Sequence, residues 1–236
     1  MNTAKLQKMG GVSALVAAAT FVVAIVLMVV VISPAGYNSP EAGPVENAAF
    51  MAENQAVLYL WNLVGYVIFG IFLVFLTLGM HERLKTDAPG LAQAAAAFGL
   101  IWAGLMFASG MVANIGAEVV GEVFRQDAAQ AGSTWLALHF VVDGLGGGNE
   151  IVGGLWVLLL SWAGLRGGQL PRALNYFGVV VGAAGLVTLI PALGEVGMLF
   201  GLGSIAWFLW VGIVMLRSRA AVPAKAVVTA SGQPAA

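Results

Sequence analysis

Five ionisable side chains in the middle of the sequence are of types that do chemistry: Glu118, Glu122, His139, Asp143 and Glu150. Glu118 and Glu122 are four residues apart, as are His139 and Asp143, and residues at that spacing share one face of a helix. One imidazole among several carboxylates is a ligand set for a divalent metal. Oxygen ligands suit Mg, Ca or Mn, an added imidazole suits Zn or Fe, and a metal held there would activate water. No H-E-x-x-H spacing reinforces that reading. Simpler readings stand beside it. Glu118 and Glu122 fit a helix end emerging into water near Arg125, and His139 with Asp143 fits a pair that pins its own helix.

A second set of polar residues suggests a pocket for a small solute or ion. Tyr59, Asn62 and Tyr66 fall three and four apart, and Asn114 lies one turn before Glu118. With Asn149 and Glu150 these residues would line the pocket, and His139 and Asp143 would stand at its mouth beside Glu150. The stretch "GLGGGN" at 144–149 lacks the preceding strand and the spacing of a nucleotide-binding loop. Its glycines suit irregular backbone leading into a helix capped by Asn149.

Other chemistries are excluded by composition. With no cysteine there is no disulfide, thiolate metal site or cysteine nucleophile. Lys5, Lys8, Lys85 and Lys225 all fall outside the apolar runs, so no retinal Schiff base is expected. His81 and His139 belong to opposite faces of the membrane and would not share a haem iron. A net charge of −1 gives no basis for a nucleic-acid partner.

The elements that must position these residues are membrane helices. The chain is 60% hydrophobic and 9% charged, where a soluble domain carries about 25% charged residues. A bilayer core needs roughly 20 apolar residues per helix, and six runs qualify: 10–33, 57–80, 91–116, 149–165, 174–193 and 197–216. The first run is too long for the apolar part of a signal peptide and no small-x-small site follows it, so it reads as a retained helix. Residues 34–47 are rich in proline and glycine and read as a loop. Residues 133–148 read as a short helix lying at, or re-entering, the outer face before the fourth span. Residues 1–219 form one bundle domain, and 220–236 read as a disordered cytoplasmic tail.

Basic residues set orientation. With both termini inside, Lys5, Lys8, Arg83, Lys85, Arg166, Arg172, Arg217, Arg219 and Lys225 are cytoplasmic, and Arg125 is outside. The polar residues singled out above then lie in the outer half of the bundle, facing a pocket open to the outside.

The stretch "GGLWVLLLSWAGLRGGQLPRALNYFGVVVGAAGL", residues 153–186, resembles bacterial six-helix membrane proteins catalogued only as a domain of unknown function. In those, a Gly-Leu-Trp helix ends in arginine and an "LPR" turn leads into a glycine-rich fifth helix. The resemblance implies the six-helix fold and a bacterial inner-membrane location, and it carries no catalytic residues. The functional expectation is small-ligand or ion binding or transport. A membrane metalloenzyme, using Glu118, Glu122, His139, Asp143 and Glu150, remains an alternative. So does a non-catalytic subunit whose glycine faces dock a second copy or another membrane protein; the stretches 178–182 and 197–201 fit the G-x-x-x-G pattern and read first as packing between the chain's own helices.

Overall fold

A computed structural model of the chain describes residues 3–146 and 150–217, and among them there is helix, turn and loop but no strand. Helix α1, Thr3–Leu27, continues through a wider π-helical turn, Met28–Ile32, into a 3-10 turn, Ser33–Ala35. Helix α2 is Pro44–Glu53. Helix α3, Gln55–Asn62, passes through a second π-helical turn, Leu63–Ile68, into α4, Phe69–Leu84. Then follow α5, Pro89–Phe124; α6, Ala128–Gly146; α7, Ile151–Gly167; and α8, Arg172–Val187. A 3-10 segment, Pro191–Val196, leads into α9, Gly197–Arg217.

Five stretches are long and apolar enough to cross a bilayer: Ala4–Ala35, Gln55–Leu84, Pro89–Phe124, Ala128–Gly167 and Pro191–Arg217. The chain is a multi-spanning, all-α membrane bundle. Helix α8 falls short of that class, because its 16 residues rise about 24 Å against a hydrocarbon core of about 30 Å. The apolar run expected to reach residue 193 instead leaves the helix after Val187, and Pro191 then starts a 3-10 segment.

Other boundaries also move. Helix α5 continues to Phe124 rather than ending near Gly116, since no breaker intervenes, and this carries Glu118 and Glu122 on its last turns. Helix α6 begins before the expected Ser133, where the Asp127 carboxylate accepts a hydrogen bond from the Gln130 amide at 3.0 Å and caps the first turn. Within the expected loop, Pro44 opens α2, a position where its missing N–H costs nothing. Gly147, Gly148, Asn149 and the tail lie outside the described residues.

Helix α1 packs between α4 and α9, α5 against α4, α6 and α7, and α7 against α8. Aromatic rings fill the centre, with Trp102 5.3 Å from Phe69 and 5.8 Å from Trp156 between ring centroids. The turns after α4 and α7 meet at one end. There Arg83 donates to the Gln169 carbonyl at 2.8 Å and Gln169 donates to Asp87 at 2.6 Å. This end gathers Lys5, Lys8, Arg83, Lys85, Arg166, Arg172 and Arg217, and is the basic end. The opposite, acidic end has its own small core, in which Ile32, Ala48, Met51, Leu58, Val120 and Trp135 tie α2, α3, α5 and α6 together.

One of the two G-x-x-x-G stretches is an internal seam. A Cβ on Gly182 would stand 2.7 Å from the Gly154 carbonyl oxygen, and one on Gly154 would stand 2.8 Å from that of Gly182. The α7 and α8 backbones thus touch where only glycine fits. Gly201 faces open space. Gly182→Ala should therefore lower stability by about 1–3 kcal/mol through overpacking. Gly201→Ala should leave it unchanged or raise it by up to about 1 kcal/mol. Thermal unfolding of the two variants in detergent checks the contrast.

Candidate functional site

At the acidic end the helices enclose a cavity of about 90 Å³. Helix α1 contributes Met28 and Ile32 from its π-helical turn, and the loop after it contributes Tyr37 and Asn38. The α2–α4 segment gives Met51, Leu58, Trp61, Asn62 and Tyr66, the last from the second π-helical turn. Helix α5 adds Ala113, and α6 adds Trp135, Leu138, His139, Val142 and Asp143. Both π-helical turns of the described chain thus border the same chamber. Such turns are rare in helices and recur at functional sites.

The loop that carries Tyr37 is held by one buried side chain. Gly36 and Asn38 take left-handed backbone conformations, φ 82° and 57°, which reverse the chain after α1. The Asn47 carbonyl oxygen accepts from the Asn38 amide at 2.6 Å, while its amide group donates to the carbonyls of Ala42 and Gly43 at 3.2 and 3.0 Å. Asn47 is 2% exposed, so these bonds form where water does not replace them. Tyr37 then meets Trp135, whose indole N–H donates to its phenol oxygen at 3.2 Å. Burial holds the Tyr37 phenol above its ordinary range and keeps it neutral.

Helix α6 places Trp135, His139 and Asp143 at successive four-residue steps on one face. The Trp135 and His139 rings stack at 4.9 Å and 8°, and His139 Nε2 stands 3.4 Å from Asp143 Oδ2. The Asp143 side chain is 52% exposed, so the pair sits at the rim. Trp61 is fixed by donating to the Ala24 carbonyl at 3.0 Å.

The residues expected to form one pocket divide into three places. Asn62 and Tyr66 line the chamber together with His139 and Asp143. Tyr59, Asn114 and Glu118 line an open cleft on the far side of the α3–α5 seam, beside Gln55. The partition is the hydrogen bond from Asn62 Nδ2 to Asn114 Oδ1, 3.0 Å. Three residues turn a helix through about 300°, so the two stand about 60° apart, Tyr59 exposed and Asn62 buried. Glu150 lies at the start of α7 instead, its backbone N–H donating to Thr188 Oγ1 at 3.1 Å. Asn149 lies outside the described residues.

The five residues of the metal reading stand differently from the pocket set. Among the described residues no group of three or more His, Asp or Glu side chains is close enough to hold a metal ion. His139 and Asp143 supply two ligands, and Glu118 and Glu122 are exposed on α5. Tyr37, Trp61, Trp135, Met28 and Met51 are walls that polar-residue reasoning passes over. Their signal in the sequence is Trp135 four residues before His139, with further aromatics gathered in the acidic-end segments.

Nearly all of the described chain, residues 9–217, matches one family model, described as Domain of unknown function (DUF4386). No curated protein and no solved structure matches the chain.

The loop over the chamber depends on Asn47. Asn47→Ala should cost about 1–3 kcal/mol by leaving buried polar groups without partners. In hydrogen exchange, the Asn38 amide should lose protection while amides of α7–α9 keep theirs.

Proposed function

The chain belongs to the DUF4386 family, a domain of unknown function, and from its own geometry we propose that it binds, or carries across the membrane, a small solute or ion that enters the acidic-end chamber. The observation that carries this reading is the convergence of two π-helical turns, the loop after α1 and the rim pair His139–Asp143 on one cavity. A bundle that needed only to pack would fill that space with side chains, because interiors are close-packed. Irregular helix and polar residues at this depth are tolerated where they line a cavity. Six spans, both termini in the cytoplasm and the acidic end outside complete the proposal. The distribution of basic residues supports it, since Lys5, Lys8, Arg83, Lys85, Arg166, Arg172 and Arg217 lie at the other end. The location proposed is a bacterial inner membrane.

Ala113 lines the chamber from α5 and is 8% exposed. Ala113→Leu should fill the space from a rigid helix and leave the rest of the fold in place. Native mass spectrometry of the full chain, incubated with a cell-extract metabolite mixture and released from nanodiscs, should show a discrete small-molecule adduct on the natural sequence and none on Ala113→Leu. Equal adducts on both, or none on either, would contradict the reading.

A further inference from the structure

We infer that the chamber takes a compact organic cation, a methylated or quaternary ammonium group, held by aromatic faces with the Asp143 carboxylate at the rim. The inference rests on the proposed role of the chamber as a ligand site and names its ligand class. Three features of the walls carry it.

The first is the arrangement of rings. Tyr37 and Trp135 meet at 82° with centroids 6.4 Å apart, and Trp61 and Tyr66 meet at 81° and 5.8 Å. All four rings border a single cavity, Trp135 with one face stacked on His139 and Tyr37 packed on Phe50 at 4.9 Å. The face of an aromatic ring is electronegative, and rings set at angles around a space attract an ammonium ion that has given up water. The walls between the rings are apolar, with Met28, Met51 and Leu58. Those residues suit methyl groups and offer nothing to a hydrated metal ion.

The second is charge. Among the described residues that line the chamber there is no Lys or Arg, and the one carboxylate is Asp143. Asp143 is held toward His139, which is itself fixed by stacking on Trp135. An anionic ligand would meet a carboxylate and aromatic faces, and the one lining side chain able to carry positive charge, His139, is already turned to Asp143. The surrounding surface adds to the bias, since Glu41, Glu46, Glu53, Glu118, Glu122 and Asp127 sit on segments of the same end and outnumber its basic residue, Arg125. A field of one sign concentrates the opposite ion near a cleft.

The third is size. About 90 Å³ is room for a small ammonium head group and not for a whole nucleotide or sugar phosphate. Asn62 commits Nδ2 to Asn114 Oδ1, which leaves its carbonyl oxygen as a further acceptor for an N–H of a cation that is not fully methylated.

The chain has no cysteine, so single introduced thiols report the chamber directly. Val142→Cys places one in the chamber wall, and Ala129→Cys, at an exposed site at the start of α6, reports the general field of the same end. Each full-length variant, in nanodiscs, is labelled with a trimethylammonium methanethiosulfonate and with its sulfonate counterpart. The expected result is a cation-to-anion rate ratio in Val142→Cys that exceeds the ratio in Ala129→Cys by at least about tenfold. Tetramethylammonium chloride should slow labelling of the chamber thiol, where the same concentration of sodium chloride does not. Adding Asp143→Asn to Val142→Cys should shrink the excess, and adding Trp61→Leu should weaken protection by tetramethylammonium. Equal ratios in the two variants, or no protection by tetramethylammonium, would overturn the cation assignment while leaving the chamber a reachable site. No labelling of Val142→Cys by either reagent would overturn the chamber as a ligand site altogether.

Discussion

Helix α5 sets the terms for the rest of the molecule. Its 36 residues rise about 54 Å, far beyond the roughly 30 Å of a hydrocarbon core. Tilt alone cannot absorb that excess, so its final turns must be covered by protein or water. Helices α2 and α6 supply the cover, packing Ala48, Met51 and Trp135 onto the end of α5 as a separate small core. Helices α7, α8 and α9 do not reach so far. The acidic end is therefore built from a subset of the helices. Where that cap meets the bundle, neighbouring helices leave a space rather than a seam.

The same helices both make the space and keep it open. A regular α-helix repeats every 3.6 residues, and the π-helical turns in α1 and between α3 and α4 break that repeat at the chamber wall. The walls are then locked from outside. Trp61 is tied to the α1 backbone, Tyr37 to Trp135, and the α1–α2 loop to Asn47. Rigid aromatic walls of this kind cost a ligand little to meet, since their ordering is completed by folding rather than by binding. In helices that do not line the chamber, the glycine seam of α7 and α8 draws two backbones into contact and stiffens that side of the bundle.

Much of the architecture was legible in the sequence because its signals are strong and local. Long apolar runs gave the membrane class, and a four-residue spacing put His139 and Asp143 on one face. The 178–182 glycines read as helix packing and form the seam with α7. The limits were equally physical. Apolar composition does not distinguish helix from turn, so the run through residue 193 hid the end of α8 at Val187. A π-helical turn has no composition of its own, so the two that shape the chamber were invisible. The spacing of Tyr59 and Asn62 suggested one face, yet about 60° of rotation on a helix wedged against α5 sends one outward and the other in. Of the aromatic walls only Tyr66 was singled out; Tyr37, Trp61 and Trp135 were missed because tryptophan and tyrosine near a membrane surface have a sufficient explanation as interfacial anchors.

A chamber that receives a solute from outside must lie where α5 leaves the bilayer, within reach of water. A nitroxide scan along exposed positions of α5 locates that point, with labels at Leu100, Ile101, Met111, Ile115, Val119 and Glu122 in nanodiscs. Relaxation by dissolved oxygen should dominate at Leu100 and Ile101, and a water-soluble nickel complex should take over between Met111 and Glu122, level with the chamber. Oxygen-dominated relaxation out to Glu122 would bury the chamber in hydrocarbon, closing any aqueous route to it, and would contradict the account.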